Sequence, residues 1–379
     1  MTIRTTHVGS LPRPHDLLDL MKARLSGQPV DKAAYDRRVK SAVEETVRKQ
    51  VETGIDIVAD GEQSKPGFFT YARERLTGIE PRPGKKVVFF DAERQAFPEY
   101  YEEYFKRAMT GGSIAPAVPI VCTGPIKYKG EEALRRDIEN LKAAMSATGA
   151  KAAFMPSVAP SGLGSNEYYK TDEEFFFAIA DALKTEYKAI VDAGLYLQID
   201  DPFTTDNFSD PTLDDRERRR LAEIHVEAIN HALAGIPAAK VRYHTCYGIN
   251  EGPRVHDPAL GVVAPYMLKV NAGAYSFEAA NARHEHEYHL WETTKLPDDR
   301  VLIPGVITHA SNIVEHPELI AERLTRFAEL VGSDRVIASA DCGFSSQATY
   351  RPEVHPKVMW TKFAAMVEGA RLANGKLRR

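Results

Sequence analysis

Short apolar runs alternating with helix-length amphipathic segments constrain this chain more than any other feature, because such a repeat packs most simply as a parallel sheet covered by helices. Strand-like runs fall at 55–59, 117–122, 152–156, 196–199, 241–243, 272–277, 301–306 and 335–339. Helical spacing is read at 31–53, 131–147, 172–193, 213–234 and 317–331. In the first of these helices Ala34, Val39, Val43, Val47 and Val51 form one stripe, and Gly54 is placed to stop it. Eight strands, each followed by a helix or a helix-sized connection, predict an α/β fold, a (β/α)8 TIM barrel spanning 1–379 as a single domain. A doubly wound open sheet is the competitor, and it lacks support because no strand is followed by a complete G-x-G-x-x-G. The start of the chain is read as an N-terminal extension. The Pro-, Gly- and Tyr-rich stretch 66–112 is read as an insertion carrying a small hairpin around KKVVFF.

With 379 residues, 43% hydrophobic and 27% charged, there is enough apolar surface for a sizeable core. A net charge of −4 gives no electrostatic reason to expect nucleic acid or an anionic membrane as partner. No run approaches the length of a membrane span, and MTIRTTHVGS lacks the apolar centre of a signal peptide, so a cytoplasmic location is expected. Homo-oligomer formation stays open. Three cysteines, Cys122, Cys246 and Cys342, are too few and too odd for a disulfide framework.

A barrel of this kind collects reactive groups where its strands end. Glu62, Asp200, Asp201, His244, Cys246, Glu278, His309, Asp341 and Cys342 all follow or close a strand-like run. In VRYHTCYG, His244 and Cys246 are two residues apart, so in extended chain an imidazole and a thiol face one point, which is half of a zinc site. A buried cysteine beside a packed histidine would leave the same pattern. Glu278 in AYSFEAAN and Cys342 in SADCGFS stand in comparable places.

The ordered set HTCYG, AYSFEAAN, GVITHAS and SADCGFS, preceded by GIDIVADGEQ, VCTGPI and QIDDP, resembles the zinc-binding barrel of cobalamin-independent methionine synthase from Thr5 to about Ser346. The resemblance is to the catalytic half of the two-barrel enzyme. It implies a zinc-dependent transferase that binds a small thiol as a zinc thiolate and alkylates it, the family default being methyl transfer to homocysteine. It also implies His244, Cys246, Glu278 and Cys342 as zinc ligands, with Glu278 the one displaced by the incoming thiol. Gly9, Ser10, Glu62 and Asp200 are implied around the amino-acid part of the substrate, and His309 is assigned as the acid that protonates the departing group. The expected partners are thus a small-molecule thiol and an alkyl donor. Stand-alone relatives that open epoxides with coenzyme M provide a second reading, and a metal-free barrel of the uroporphyrinogen decarboxylase type a third.

Two departures bear on the donor. TGPIKYKGEEAL carries no indole where the family stacks its pterin, and GPRVHDPALG looks inserted between Cys246 and Glu278. Other motifs are set aside. GIEPRPGKK has the wrong spacing for a phosphate loop, HEHEYH (284–289) reads as a solvated helix face, the run Arg216–Arg220 reads as helix surface, and Cys122 reads as core.

Overall fold

The computed structural model describes residues 2–84, 90–107, 113–115, 118–248 and 251–378. Eight strands form one parallel sheet, taken here as β1 (Arg4–Thr5), β2 (Ile57–Val58), β3 (Ala152–Val158), β4 (Tyr196–Asp200), β5 (Val241–His244), β6 (Ala274–Phe277), β7 (Val301–Ile307) and β8 (Ile337–Ala340). Neighbours in sequence are neighbours in space from β2 to β8, and β1 pairs with β8 through Arg4↔Ile337 and Thr5↔Ala338. The remaining seam, between β1 and β2, is closed by single bonds. Asp56 N–H donates to Thr5 O (3.2 Å), Thr5 N–H to Asp56 Oδ2 (2.8 Å), and Thr6 Oγ1 to Ile57 O (3.0 Å). The sheet is a nearly closed barrel, as the alternation predicts.

One member of the predicted eight is exchanged. The run at 117–122 is not a barrel strand: Ile120–Cys122 pairs antiparallel with Ile79–Pro81 and parallel with Ser165–Asn166 in a separate three-stranded sheet. Its place in the barrel is taken by Arg4–Thr5, so the segment read as an N-terminal extension is the first strand. That strand carries no apolar run because its neighbourhood is polar and satisfied. Thr5, Thr6 and His7 are almost wholly buried, and His7 Nε2 pairs with Gln50 Oε1 at 2.7 Å. The hairpin expected around KKVVFF falls almost entirely outside the described residues.

The helices follow their predicted stripes. Lys32–Thr53 is capped by Asp31, which accepts from Ala33 N–H, and ends at Gly54 in the left-handed region (φ 95°). Glu131–Thr148, Asp172–Asp192, Asp215–Ala232, Pro317–Val331 and Pro356–Lys376 cover the outside of the sheet. Within the barrel Ile57, Ala59, Phe154, Ile303 and Ile337 pack as a layer, and the Arg242 guanidinium lies 3.9 Å from the centre of the Phe154 ring. Filling the barrel in this way leaves the strands' C-terminal ends as the open face. No described helix is long and apolar enough to cross a membrane.

Candidate active site

At that face a cavity of about 520 Å³ is lined by Ser10, Glu62, Asp200, His244, Cys246, Glu278, His309 and Cys342 together. Residues from most of the barrel strands and their loops therefore converge on one space. The small sheet reaches it as well, through Ile120 and Ser165.

β5 ends at His244, whose backbone oxygen accepts from Asp201 N–H and whose Nδ1 pairs with Ser276 Oγ on β6 at 3.0 Å. That contact orients the ring and leaves Nε2 buried with no hydrogen-bond partner among the described residues. Burial, with Arg242 nearby, lowers this imidazole to about 3, so it is neutral and its lone pair is available. Cys246 is held by Thr205 Oγ1, which donates to its carbonyl at 2.5 Å. Cys342 follows β8. Ligand atoms of His244, Cys246 and Cys342 all lie within 4.8 Å of one another, the geometry of a metal site. A hydrogen bond with Cys246, and then burial, push the Cys342 thiol well above its usual range. A cation would reverse this by stabilising both thiolates. An orphaned imidazole nitrogen and two adjoining thiols fit a soft divalent ion such as zinc.

Glu278 stands outside that three-residue set. Its Oε2 is engaged by Arg254 Nη1 and Asn281 Nδ2, each at 2.8 Å, while Oε1 is buried without a hydrogen-bond partner among the described residues. The loop carrying it is fixed by Asp341, whose Oδ1 accepts from Ala279 and Ala280 N–H at 2.8 Å. Three of the four expected ligands are thus brought together, and the fourth is held beside them on an arginine.

A second group is acidic. Glu62 adopts φ 56°, unusual for a residue with a Cβ, and its N–H donates to Asp60 Oδ1 at 2.9 Å. Arg13 Nη2 donates to the Glu62 carbonyl at 2.9 Å but stands 4.0 Å from its Oε2, which has no hydrogen-bond partner among the described residues. Asp200 accepts from Gln198 Nε2 at 2.7 Å. Burial and the Glu62 charge raise Asp200 well above the usual carboxylate range. Gly9 has φ 130°, and a Cβ there would meet Pro156 Cγ at 2.6 Å and Glu62 Oε1 at 3.3 Å, so the backbone can pass this close only as glycine. Ser10 is pressed against Gly343, where a Cβ would meet its Oγ at 1.9 Å. Two buried carboxyls, one with an unused acceptor oxygen, have the chemistry to accept donors from a cation such as an ammonium.

His309 lines the same cavity, and burial holds it down to about 4.

Several residues of the site escape sequence reasoning. Arg254 comes from GPRVHDPALG, where nothing but position in a Gly- and Pro-rich loop marks it. His284, from the HEHEYH tract, is not on a solvated face. It is 2% exposed, stacks 4.0 Å from Tyr247, and pairs with Glu287 (2.7 Å) and Asp257 (3.1 Å). Burial opposes its charge, yet these carboxylates outweigh it and raise the imidazole to about 9. Arg13, in SLPRP, ties the carbonyls of Leu11, Glu62, Lys65 and Ser345 together. The expectations for Cys122 and Arg220 agree with their placement: the first is buried, and the second is paired with Glu217 on helix surface.

Sequence and structure comparisons follow the same line. The catalytic-domain model of the cobalamin-independent synthases matches residues 3–110 and 160–369. Methionine synthase of Sulfolobus acidocaldarius is 26% identical over 379 residues, covering 99% of this chain and 93% of its own. That of Thermococcus kodakarensis is 23% identical over 379 residues, covering 99% and 94%. The structure of a B12-independent methionine synthase from Shewanella sp. W3-18-1, in complex with selenomethionine, superimposes with a TM-score of 0.75 at 20% identity over 100% of this chain and 99% of that one. A family match over most of the chain, on a barrel with the His, Cys and Cys cluster at its open face, places this protein in the cobalamin-independent synthase family as a catalytic-domain member.

Proposed function

We propose that this protein is a zinc-dependent thiol alkyltransferase whose acceptor is homocysteine, giving methionine. The observation that carries the reading is one cavity holding both a His244, Cys246 and Cys342 cluster and, apart from it, the buried Glu62 and Asp200 pair. The first is suited to a thiol and the second to an ammonium, and homocysteine is a small molecule that bears both.

His244, Cys246 and Cys342 would hold the metal, with Glu278 beside them. Zinc bound there supplies the positive charge that keeps a substrate thiol deprotonated at neutral pH, where a free thiol of pKa about 8.5 is mostly protonated. The chain's own groups do the rest. Glu62 and Asp200 accept the ammonium donors, and Asp200 gives up its proton as the cation arrives because the new charge offsets both burial and the Glu62 repulsion. Ser10 and the Gly9 backbone shape the path between the two subsites. The substrate sulfur then forms a bond to the alkyl carbon while the bond from that carbon to the donor breaks, its electron pair leaving with the donor. We assign His309, facing the same space, to orient the departing group, a ring nitrogen hydrogen-bonding the atom that receives the electron pair.

The acidic pair also bears on the alternatives. A sulfonate thiol such as coenzyme M would bring a second negative charge against the buried Glu62 carboxylate, which disfavours the epoxide-opening reading, and a metal-free decarboxylase would have no use for the clustered thiols. The donor side of the cavity carries Phe68 and Phe203, stacked at 6.5 Å. The tryptophans pack elsewhere, Trp291 against Phe277 and Trp360 against Phe363, which favours a donor other than a polyglutamated folate held on an indole. Calorimetric titration of the zinc-loaded protein with homocysteine and with coenzyme M tests the acceptor. Homocysteine should bind and coenzyme M should not, and Glu62→Gln should weaken homocysteine alone; equal binding of both thiols would refute the assignment.

A further inference from the structure

Two stretches that break the regular barrel meet beside the ligand cluster. The helices Asp91–Ala96 and Pro98–Arg107 belong to the segment read as an insertion, and residues 251–257 to the loop that lengthens the path from Cys246 to Glu278. Glu93 joins them: its Oε2 accepts from Arg254 N–H (3.1 Å) and Tyr101 Oη (2.9 Å), and its Oε1 from His256 N–H (2.8 Å). Arg107 adds an ion pair to Glu251 at 3.1 Å.

The product of this junction is the placement of one side chain. Arg254 sits at φ 56°, a strained backbone state in a non-glycine residue that persists only where surroundings impose it. Its side chain is 4% exposed. Nε is given to Asp257 (2.7 Å) and Nη1 to Glu278 (2.8 Å), while Nη2 is buried without a hydrogen-bond partner among the described residues. Asp257 is in turn held by His284 at 3.1 Å. Arginine, carboxylate and histidine thus form a chain that fixes the fork on Glu278 from behind.

We infer that Arg254 is a positioning residue that competes with the metal for the Glu278 carboxylate and so makes Glu278 the exchangeable donor beside three fixed ones. The inference rests on the metal reading above and deepens it. A buried carboxylate that leaves a cation with nowhere to go is a large penalty. Here the alternative partner is already in place, since Glu278 Oε2 is held by the Arg254 cation and by Asn281, so a carboxylate that leaves the metal is still neutralised. Stabilising the uncoordinated carboxylate lowers metal affinity and eases its replacement by a substrate thiol. An arginine that merely holds the loop would affect stability with and without metal alike, and would leave metal affinity unraised.

The test is competition between a chelator and the full-length protein for zinc, in wild type, Arg254→Met and Arg254→Lys. Losing a charged hydrogen bond to the free carboxylate should raise zinc affinity about tenfold or more in Arg254→Met. The gain should vanish when Glu278→Gln is combined with it. Arg254→Lys, which keeps the buried charge and loses the fork, should shift affinity in the same direction by less, and it serves if the methionine variant does not fold. Homocysteine should bind more weakly to both. If the wild type binds zinc and neither variant binds it more tightly, Arg254 is not a competitor and the inference falls while the proposed function stands. If the wild type binds no zinc, both fall.

Discussion

Replacing Asp200 by asparagine separates two effects that a purely structural carboxyl would not separate. In the free protein Asp200 is buried beside Glu62 and its pKa is raised well above the usual range. A carboxyl whose folded pKa exceeds its unfolded value contributes stability that is fully present below the unfolded pKa and is lost as pH rises through the folded one. The Asp200→Asn variant has no such loss, and its amide oxygen can still accept the Gln198 Nε2 hydrogen bond that the carboxyl accepts at 2.7 Å. The variant should therefore be at least as stable as wild type, with an advantage that grows from about pH 4 upward. Substrate binding should move the opposite way. The ammonium loses one charged hydrogen bond, on the order of 1.5–3 kcal/mol, so the homocysteine Kd should rise roughly 10- to 150-fold. Urea denaturation across pH and calorimetric binding on the same protein read both quantities. Unchanged homocysteine affinity, or a variant less stable than wild type at neutral pH, would refute the reasoning.

Other consequences follow from neighbouring groups. Cys342→Ser removes one of the two soft donors in the cluster, so zinc retention against a chelator and methyl transfer should both collapse, and full activity in this variant would contradict the site. Arg75→Met strands Glu186 and Asp137, which it pairs in the interior, and should cost about 3–5 kcal/mol in urea unfolding. Burial would raise Glu186, but Arg75 overcomes it and holds the carboxyl down to about 2, so wild type should lose that share of stability only as pH falls from about 4.5 through 2, and the variant should lack that loss. Asp60 is raised by burial to about 6, so wild type should lose about 3 kcal/mol between pH 4 and 6 that Asp60→Asn keeps, read from thermal melts across that range.

The sequence carries the barrel because parallel strands buried on both faces must be apolar, and six runs from 152 onward are read in their places. It misassigns the first strand for the complementary reason. Arg4–Thr5 and the adjoining Thr6 are held by hydroxyl and carboxylate bonds to Gly54, Asp56 and Ile57 rather than by apolar burial, so periodicity has nothing to detect. Ile120–Cys122 looks like a barrel strand because it is buried, but burial does not say against what. The clustered His244, Cys246 and Cys342 are legible because each sits where a strand ends, and strand ends share a face. Arg254 and His284 are not legible, since their roles depend on loops meeting across long stretches of chain, as Glu93 and Arg254 do at a separation of 161 residues. His309 shows a third kind of limit: its position at the cavity follows from the strand pattern, but its charge state follows from burial.

The most direct measurement of the central claim is zinc content of the purified protein, with the zinc X-ray absorption spectrum taken before and after homocysteine is added. The account predicts one zinc per chain, with two sulfur neighbours from Cys246 and Cys342 at rest and a third when homocysteine is bound. Protein that folds without zinc and gains none on incubation, or a sulfur count that homocysteine leaves unchanged, would contradict it.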